Sequence, residues 1–185
     1  MSLGIRCALC AIATCVGAAG CLQSAAAAEA KGDFASGTID LGVVVSNVEK
    51  SVKFYTEALG LKEVQGFSVG AEFCADAGLT DKQSLTIRVL TLGDDAKATK
   101  LKLMAVPAAA SKTADNSFVP AQLGYRYLTI HVTDGDAALA RLKKAGVKPL
   151  AKGPVPLPAG LPAGNALTVV RDPDGNFVEL VGPKR

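Results

Sequence analysis

The stretch VVRDPDGNFVELVGP, residues 169–183, decides the fold. Asp172-Pro173-Asp174-Gly175 is a tight turn, since proline presets its own backbone angle and glycine and aspartate tolerate turn conformations. Apolar strands flank it. One carboxylate, Glu179, interrupts the second strand, and its residue type leaves four roles open: metal ligand, acid–base group, half of an ion pair, or plain surface.

Working outward, the chain has 185 residues, 49% of them hydrophobic, and a net charge of +3. With the leader set aside, about 150 residues remain, the size of one ordinary domain. There is no basic run and no Trp, so nothing suggests a nucleic-acid partner.

Residues 1–30 read as a signal peptide and its processing region. Arg6 supplies a positive start, an uncharged stretch follows from Cys7 to Leu22, and QSAAAAEA offers small residues for cleavage after Ala28 or Ala30. The apolar stretch is short for a membrane span. AAGC, ending at Cys21, resembles a bacterial lipobox, so Cys21 is the alternative processing point. Export to the periplasm or envelope is the expectation, with membrane attachment only if Cys21 is lipidated. Cys74 is the single cysteine of the body. It can form no intramolecular disulfide there and is expected to be a small buried apolar residue.

The body contains an internal repeat. DLGVVVSNVEKSVKFYTEALGLKEV in the first half and YLTIHVTDGDAALARLKKAGVKPL in the second each open on a strand, from about Ile39 to Val45 and from about Arg126 to Val132. Capping-box patterns follow, Ser46 with Glu49 and Thr133 with Asp136. Val48, Val52, Tyr55 and Leu59 then share one helix face, as do Ala138, Leu142 and Ala145. Gly60 and Gly146 stop the helices. Three strand-like runs complete each half: Lys62–Ser68, Ser84–Leu92 and Lys100–Val106, then Val147–Lys152, Ala166–Arg171 and Asn176–Val181. The fold class is therefore α+β, with two βαβββ modules spanning 37–107 and 124–183 inside one domain, 37–183. The segment from Gly153 to Gly164 holds four prolines and cannot continue a helix. It is either a lid over a pocket or a long surface connection.

These paired modules, with VRDPDGNFVELVGP closing the second, resemble the vicinal oxygen chelate superfamily, which includes glyoxalase I, bleomycin-resistance proteins and extradiol dioxygenases. The resemblance covers roughly Thr38 to Gly182. It implies a curved mixed sheet around a central cavity, with helices outside. It also implies four inward positions, on the first and fourth strands of each module, that hold a divalent metal in metal-using relatives. Here they fall on Asp40, Lys102, Tyr127 and Glu179.

Those residue types suit a metal poorly. A protonated Lys has donors only, a neutral Tyr is a weak ligand, and two carboxylates alone hold a hard cation weakly. The one His, His131, is not at a ligand position, which argues against non-haem iron chemistry. No cofactor is expected; a degenerate divalent-metal site is the alternative. Lys102 is instead expected to lie between Asp40 and Glu179, a fixed charge in place of the ion, with Tyr127 beside it.

Strand alternation puts Thr129 and His131 on the face of Tyr127, Phe177 and Val181 on that of Glu179, and Met104 on that of Lys102. Leu85, Ile87 and Val89 form an apolar face taken to meet the helices, which would turn Arg88 into the cavity, either toward an anionic ligand or toward an inner acid. The candidate ligand-binding residues are thus Asp40, Arg88, Lys102, Tyr127, His131 and Glu179. The leading expectation is an exported protein that binds a small polar or anionic molecule without metal. The alternatives are a glyoxalase-like lyase or isomerase, with Lys102 and Glu179 as acid–base groups, and a non-catalytic envelope interaction module. A complete site could form in one chain, and a homodimer is also compatible.

Overall fold

Eight strands form two four-stranded mixed sheets, one per repeat, in a computed structural model that describes residues 34–106 and 112–184. The signal-peptide and lipobox readings lie outside the described residues. Ser36–Arg185 cluster as one unit, and every described strand and helix lies within it.

In the first module β1 (Leu41–Val44), β2 (Lys62–Val69), β3 (Leu85–Thr91) and β4 (Lys100–Met104) are ordered β1-β4-β3-β2. In the second, β5 (Tyr127–His131), β6 (Val155–Pro156), β7 (Asn165–Arg171) and β8 (Phe177–Pro183) are ordered β5-β8-β7-β6. The first strand of each module runs parallel to its last, and the remaining pairs are antiparallel. This is the doubled βαβββ arrangement expected from the repeat.

The helices α1 (Val48–Lys53) and α3 (Gly135–Lys144) follow β1 and β5. Their caps sit one residue beyond the expected hydroxyls. Asn47 accepts from the Lys50 amide at 3.0 Å and Asp134 from the Ala137 amide at 2.9 Å. Asn and Asp cap at least as well as Ser and better than Thr, so the neighbouring amide and carboxylate win. α1 continues into a π-helical turn, Phe54–Ala58. Gly60 and Gly146 take positive φ values of 87° and 73°, as a left-handed stop requires.

The main core joins both modules. Leu90, Leu101 and Leu103 from the first sheet and Ile130, Val170, Val178 and Leu180 from the second pack with Val52, Tyr55, Ala58, Leu59, Ala138 and Leu142 from the helices. A smaller core gathers Cys74, Leu85, Ile87 and Val89. Cys74 is fully buried, as expected of a small apolar residue. It belongs to a helix the sequence did not announce, α2 (Ala71–Asp76), whose N-cap, Gly70, has no side chain to mark the start.

That helix corrects the reading of β3. Ile87 lies opposite Met104, and Val89 opposite Lys102, so the Leu85–Ile87–Val89 face is the inner face, with α2's Cys74 packed against it. Arg88 and Leu90 lie opposite Leu103 and Leu101 and share the face toward α1. No strand forms over Val147–Lys152. There the Leu150 amide donates to the Val169 carbonyl at 2.8 Å, and the pairing with β7 is taken by the two residues of β6. Pro149 and Pro154 lack the N–H groups a longer edge strand would use.

Candidate functional site: the inner sheet faces and the seam between modules

On the first sheet, Lys102 sits mid-β4 opposite Gly42 and Val89. Its ammonium meets the Asp40 carboxylate at 2.9 Å, and both side chains keep about a third of their surface exposed, 31% and 35%. Asp40 also accepts from the Lys100 amide at 3.2 Å. The Lys102 hydrogen bond holds the Asp40 carboxyl below its ordinary range; burial opposes it, and the Lys100 amide adds a smaller lowering effect.

On the second sheet, Glu179 lies opposite Thr129 in the parallel β5–β8 register. The Thr129 hydroxyl donates to its carboxylate at 2.7 Å. Tyr127 and His131 flank Thr129 on the same face, opposite Phe177 and Val181, and both are exposed. Glu179 forms no ion pair with Lys102. The expected Asp40–Lys102–Glu179 triad is therefore half present: Lys102 pairs with the acid of its own sheet, and Glu179 is served by the hydroxyl directly across from it.

Arg88 is not in this group. Its guanidinium pairs with Glu63 on β2 and, at 2.6 Å, with Glu49 on α1. These hydrogen bonds, Glu63 first, raise the Arg88 pKa further, and Arg88 in turn lowers that of Glu63. The cavity assignment fails because it took the apolar face of β3 for the helix-facing one.

The turn in the opening motif does more than reverse the chain. Asp172 is buried, 5% exposed. Its carboxylate accepts from the Asp174 amide at 3.0 Å, the Asn176 amide at 2.8 Å, the Asn176 side chain at 2.9 Å and the Tyr55 hydroxyl at 3.0 Å. Asp174 accepts from the Ser46 amide at 3.1 Å. Tyr55 and Ser46 belong to the first module, so the turn fastens one module to the other. Burial, then the Asp172 charge, push the Tyr55 phenol well above its ordinary value. Sequence reasoning placed Tyr55 on the core face of α1, and its hydroxyl was the only signal of a polar partner there.

Between β1 and β5, which do not pair, lies a cleft of about 270 Å³. Tyr55, Tyr125, Tyr127 and Phe177 are among its walls, and Gly42 and Asn176 contribute smaller surfaces.

The four positions that hold a metal in metal-using relatives do not fit one here. Lys102 brings a cation already bonded to Asp40, Tyr127 is a phenol, and no three His, Cys, Asp or Glu side chains gather suitably among the described residues.

This architecture defines a two-module α+β protein with an inward polar face, and its sequence matches the Glyoxalase/Bleomycin resistance protein/Dioxygenase superfamily over residues 38–180. The chain belongs to that superfamily. Among solved structures it is similar to a glyoxalase family protein from Bacillus cereus, at 21% identity and a TM-score of 0.65, covering 84% of this chain and 100% of that one. It is also similar to the trypanothione-dependent glyoxalase I of Leishmania major, at 23% identity, TM-score 0.53, and 78% and 85% coverage. A glyoxalase/bleomycin resistance protein/dioxygenase domain from Frankia aligns at 18% identity, TM-score 0.55, and 80% and 92% coverage. No curated protein gives a significant match. At these identities the structural likenesses speak for the fold.

Proposed function

We propose that the protein is an exported, metal-independent binding member of this superfamily, which takes a small polar molecule on the inner sheet faces. The observation that carries the reading is the Lys102–Asp40 pair at 2.9 Å, standing where relatives can hold a metal ligand. Lys102 has three donor hydrogens, of which one serves Asp40. Glu179 has one oxygen engaged by Thr129 and the other free to accept. The matching ligand therefore carries an acceptor for Lys102 and a donor for Glu179. With Arg88 turned away, the inner face has no guanidinium at that position, so a strongly anionic ligand is favoured less than a neutral or zwitterionic one.

Thermal-shift screening of purified protein with neutral, anionic and zwitterionic small molecules, repeated on Lys102→Met and Glu179→Gln, tests this. A hit should weaken at least tenfold in both variants. Hits indifferent to both substitutions, or stoichiometric uptake of Zn, Ni, Mn or Fe by the dialysed protein, would overturn the reading.

A further inference from the structure

All three tyrosines of the chain, Tyr55, Tyr125 and Tyr127, line the one cleft between β1 and β5. Tyr55 has a structural use, since its hydroxyl donates to Asp172. The other two do not: Tyr125 is fully exposed and Tyr127 is 55% exposed. Large aromatic surfaces left in water beside a concavity mark recognition surfaces more often than folding elements.

The segment that presents them is held in place. Arg126, between the two tyrosines, donates from Nε to the Val119 carbonyl at 2.9 Å and from its terminal nitrogen to the Asp115 carbonyl at 2.7 Å. Arg171 stacks over the Phe177 ring at 4.5 Å and reaches the Ser117 carbonyl at 3.3 Å. Asp115 is bonded to both the amide and hydroxyl of Ser117. Arg126 thus ties the backbone that carries the exposed phenols to the 115–119 loop, and Arg171 ties that loop to β7 and Phe177, so the backbone of the cleft wall is held before any ligand arrives.

We propose that this seam cleft is a binding site for a planar aromatic molecule of one or two rings, held by stacking on Tyr125 and Tyr127. Its volume of about 270 Å³ is at the small end of ligand sites, which sets the ring count. The phenol hydroxyls and the Asn176 side chain provide hydrogen bonds for a ring substituent. Tyr127 and Phe177 also belong to the inner face of the second sheet, so the cleft adjoins the inner-face site, but Lys102, Asp40 and Glu179 do not line it and the inference does not rest on them.

The test compares two neutral probes of the same connectivity, 2-naphthol and its saturated counterpart decahydro-2-naphthol, by calorimetric titration of the purified protein. 2-Naphthol should bind one to one and the saturated compound at least tenfold more weakly. Tyr125→Ala and Tyr127→Ala should each lose at least tenfold, while Tyr125→Phe and Lys102→Met stay within about threefold of the parent protein. Full exposure leaves Tyr125 little packing to lose, so its variants should fold, as circular dichroism would confirm. Equal affinity for the two probes, no binding of 2-naphthol, or unchanged binding in Tyr125→Ala would overturn the proposal. Loss in Lys102→Met but not in Tyr125→Ala would place the probe at the Lys102–Asp40 pair instead of in the cleft, overturning this inference while leaving the function reading intact.

Discussion

Replacing Tyr55 by Phe removes one atom from the joint between the modules and changes little else. The ring keeps its packing, since Tyr55 is 3% exposed within the main core. What is lost is the hydroxyl that donates to the buried Asp172 carboxylate at 3.0 Å. That carboxylate keeps three other donors, so it is not stranded, and the cost should be that of one hydrogen bond to a charged acceptor, about 2 kcal/mol. For a domain of this size that lowers Tm by roughly 4–8 °C. The sign of the pH dependence follows from the raised phenol. The folded protein holds the Tyr55 proton above its ordinary value of 10.0, so the parent's advantage is complete below pH 10 and is lost as pH rises beyond it, because only the unfolded chain ionises. The loss approaches about 1.4 kcal/mol per pH unit, and the gap between parent and variant should close near about pH 11.5. Urea denaturation of both proteins at pH 8, 10, 11 and 11.5 measures this. A gap that stays constant with pH would refute the reasoning, as would a variant as stable as the parent at pH 8.

Three further outcomes follow from the corrected geometry. Asn47→Ala should cost about 1 kcal/mol, the loss of a helix cap, while Ser46→Ala should change stability by less than about 0.5 kcal/mol, because Ser46 contributes its backbone amide; parallel urea curves compare them. Arg88→Gln should cost about 1 kcal/mol, as expected for a partly exposed ion-pair network, and should leave inner-face ligand binding unchanged by titration. Asp40→Asn should flatten the acid limb of the stability profile: a lowered carboxyl stabilises above its unfolded value of 3.8 and loses that as pH falls through the folded one. Thermal melts from pH 6 to pH 2.5 should therefore converge for variant and parent at the acid end.

Much of this molecule is written locally. The repeat, the first strand and helix of each module and the glycine stops depend on residues close together in sequence, and they came out in place, whereas the expected strand over Val147–Lys152 gave way to β6 at Val155–Pro156. The side chains of Lys102, Thr129, His131 and Glu179 follow from strand alternation once one buried neighbour fixes parity. β3 shows where that logic stops. Val89 and Leu90 are consecutive and both buried, so alternation does not say which face meets which layer. The answer depended on α2, six residues whose amphipathic period is too short to read. Arg88 was misplaced for that reason alone. Lys102 was correctly matched to Asp40 and wrongly to Glu179, because alternation gives the face of a side chain and not the distance between two sheets.

That distance bears on how the modules stay together. A metal held by donors from both modules would itself tie one sheet to the other. Here each sheet closes its own polar pair, Lys102 with Asp40 in the first and Glu179 with Thr129 in the second. Neither pair crosses between modules. The crossing polar bonds come chiefly from the Asp172–Gly175 turn, through Tyr55 and Ser46, with one more from Arg141 to the Leu59 carbonyl at 3.5 Å, together with the shared apolar core. With each inner-face pair closed within its own sheet, this turn is the main directional link between the two halves among the described residues. The prediction that separates the roles is a pair of variants. Asp172→Ala strips a buried carboxylate from four donors and should cost about 3 kcal/mol or more, while Lys102→Met, breaking a partly exposed pair, should cost under about 1 kcal/mol. If the two urea curves showed the reverse order, the joint would lie at the inner face after all.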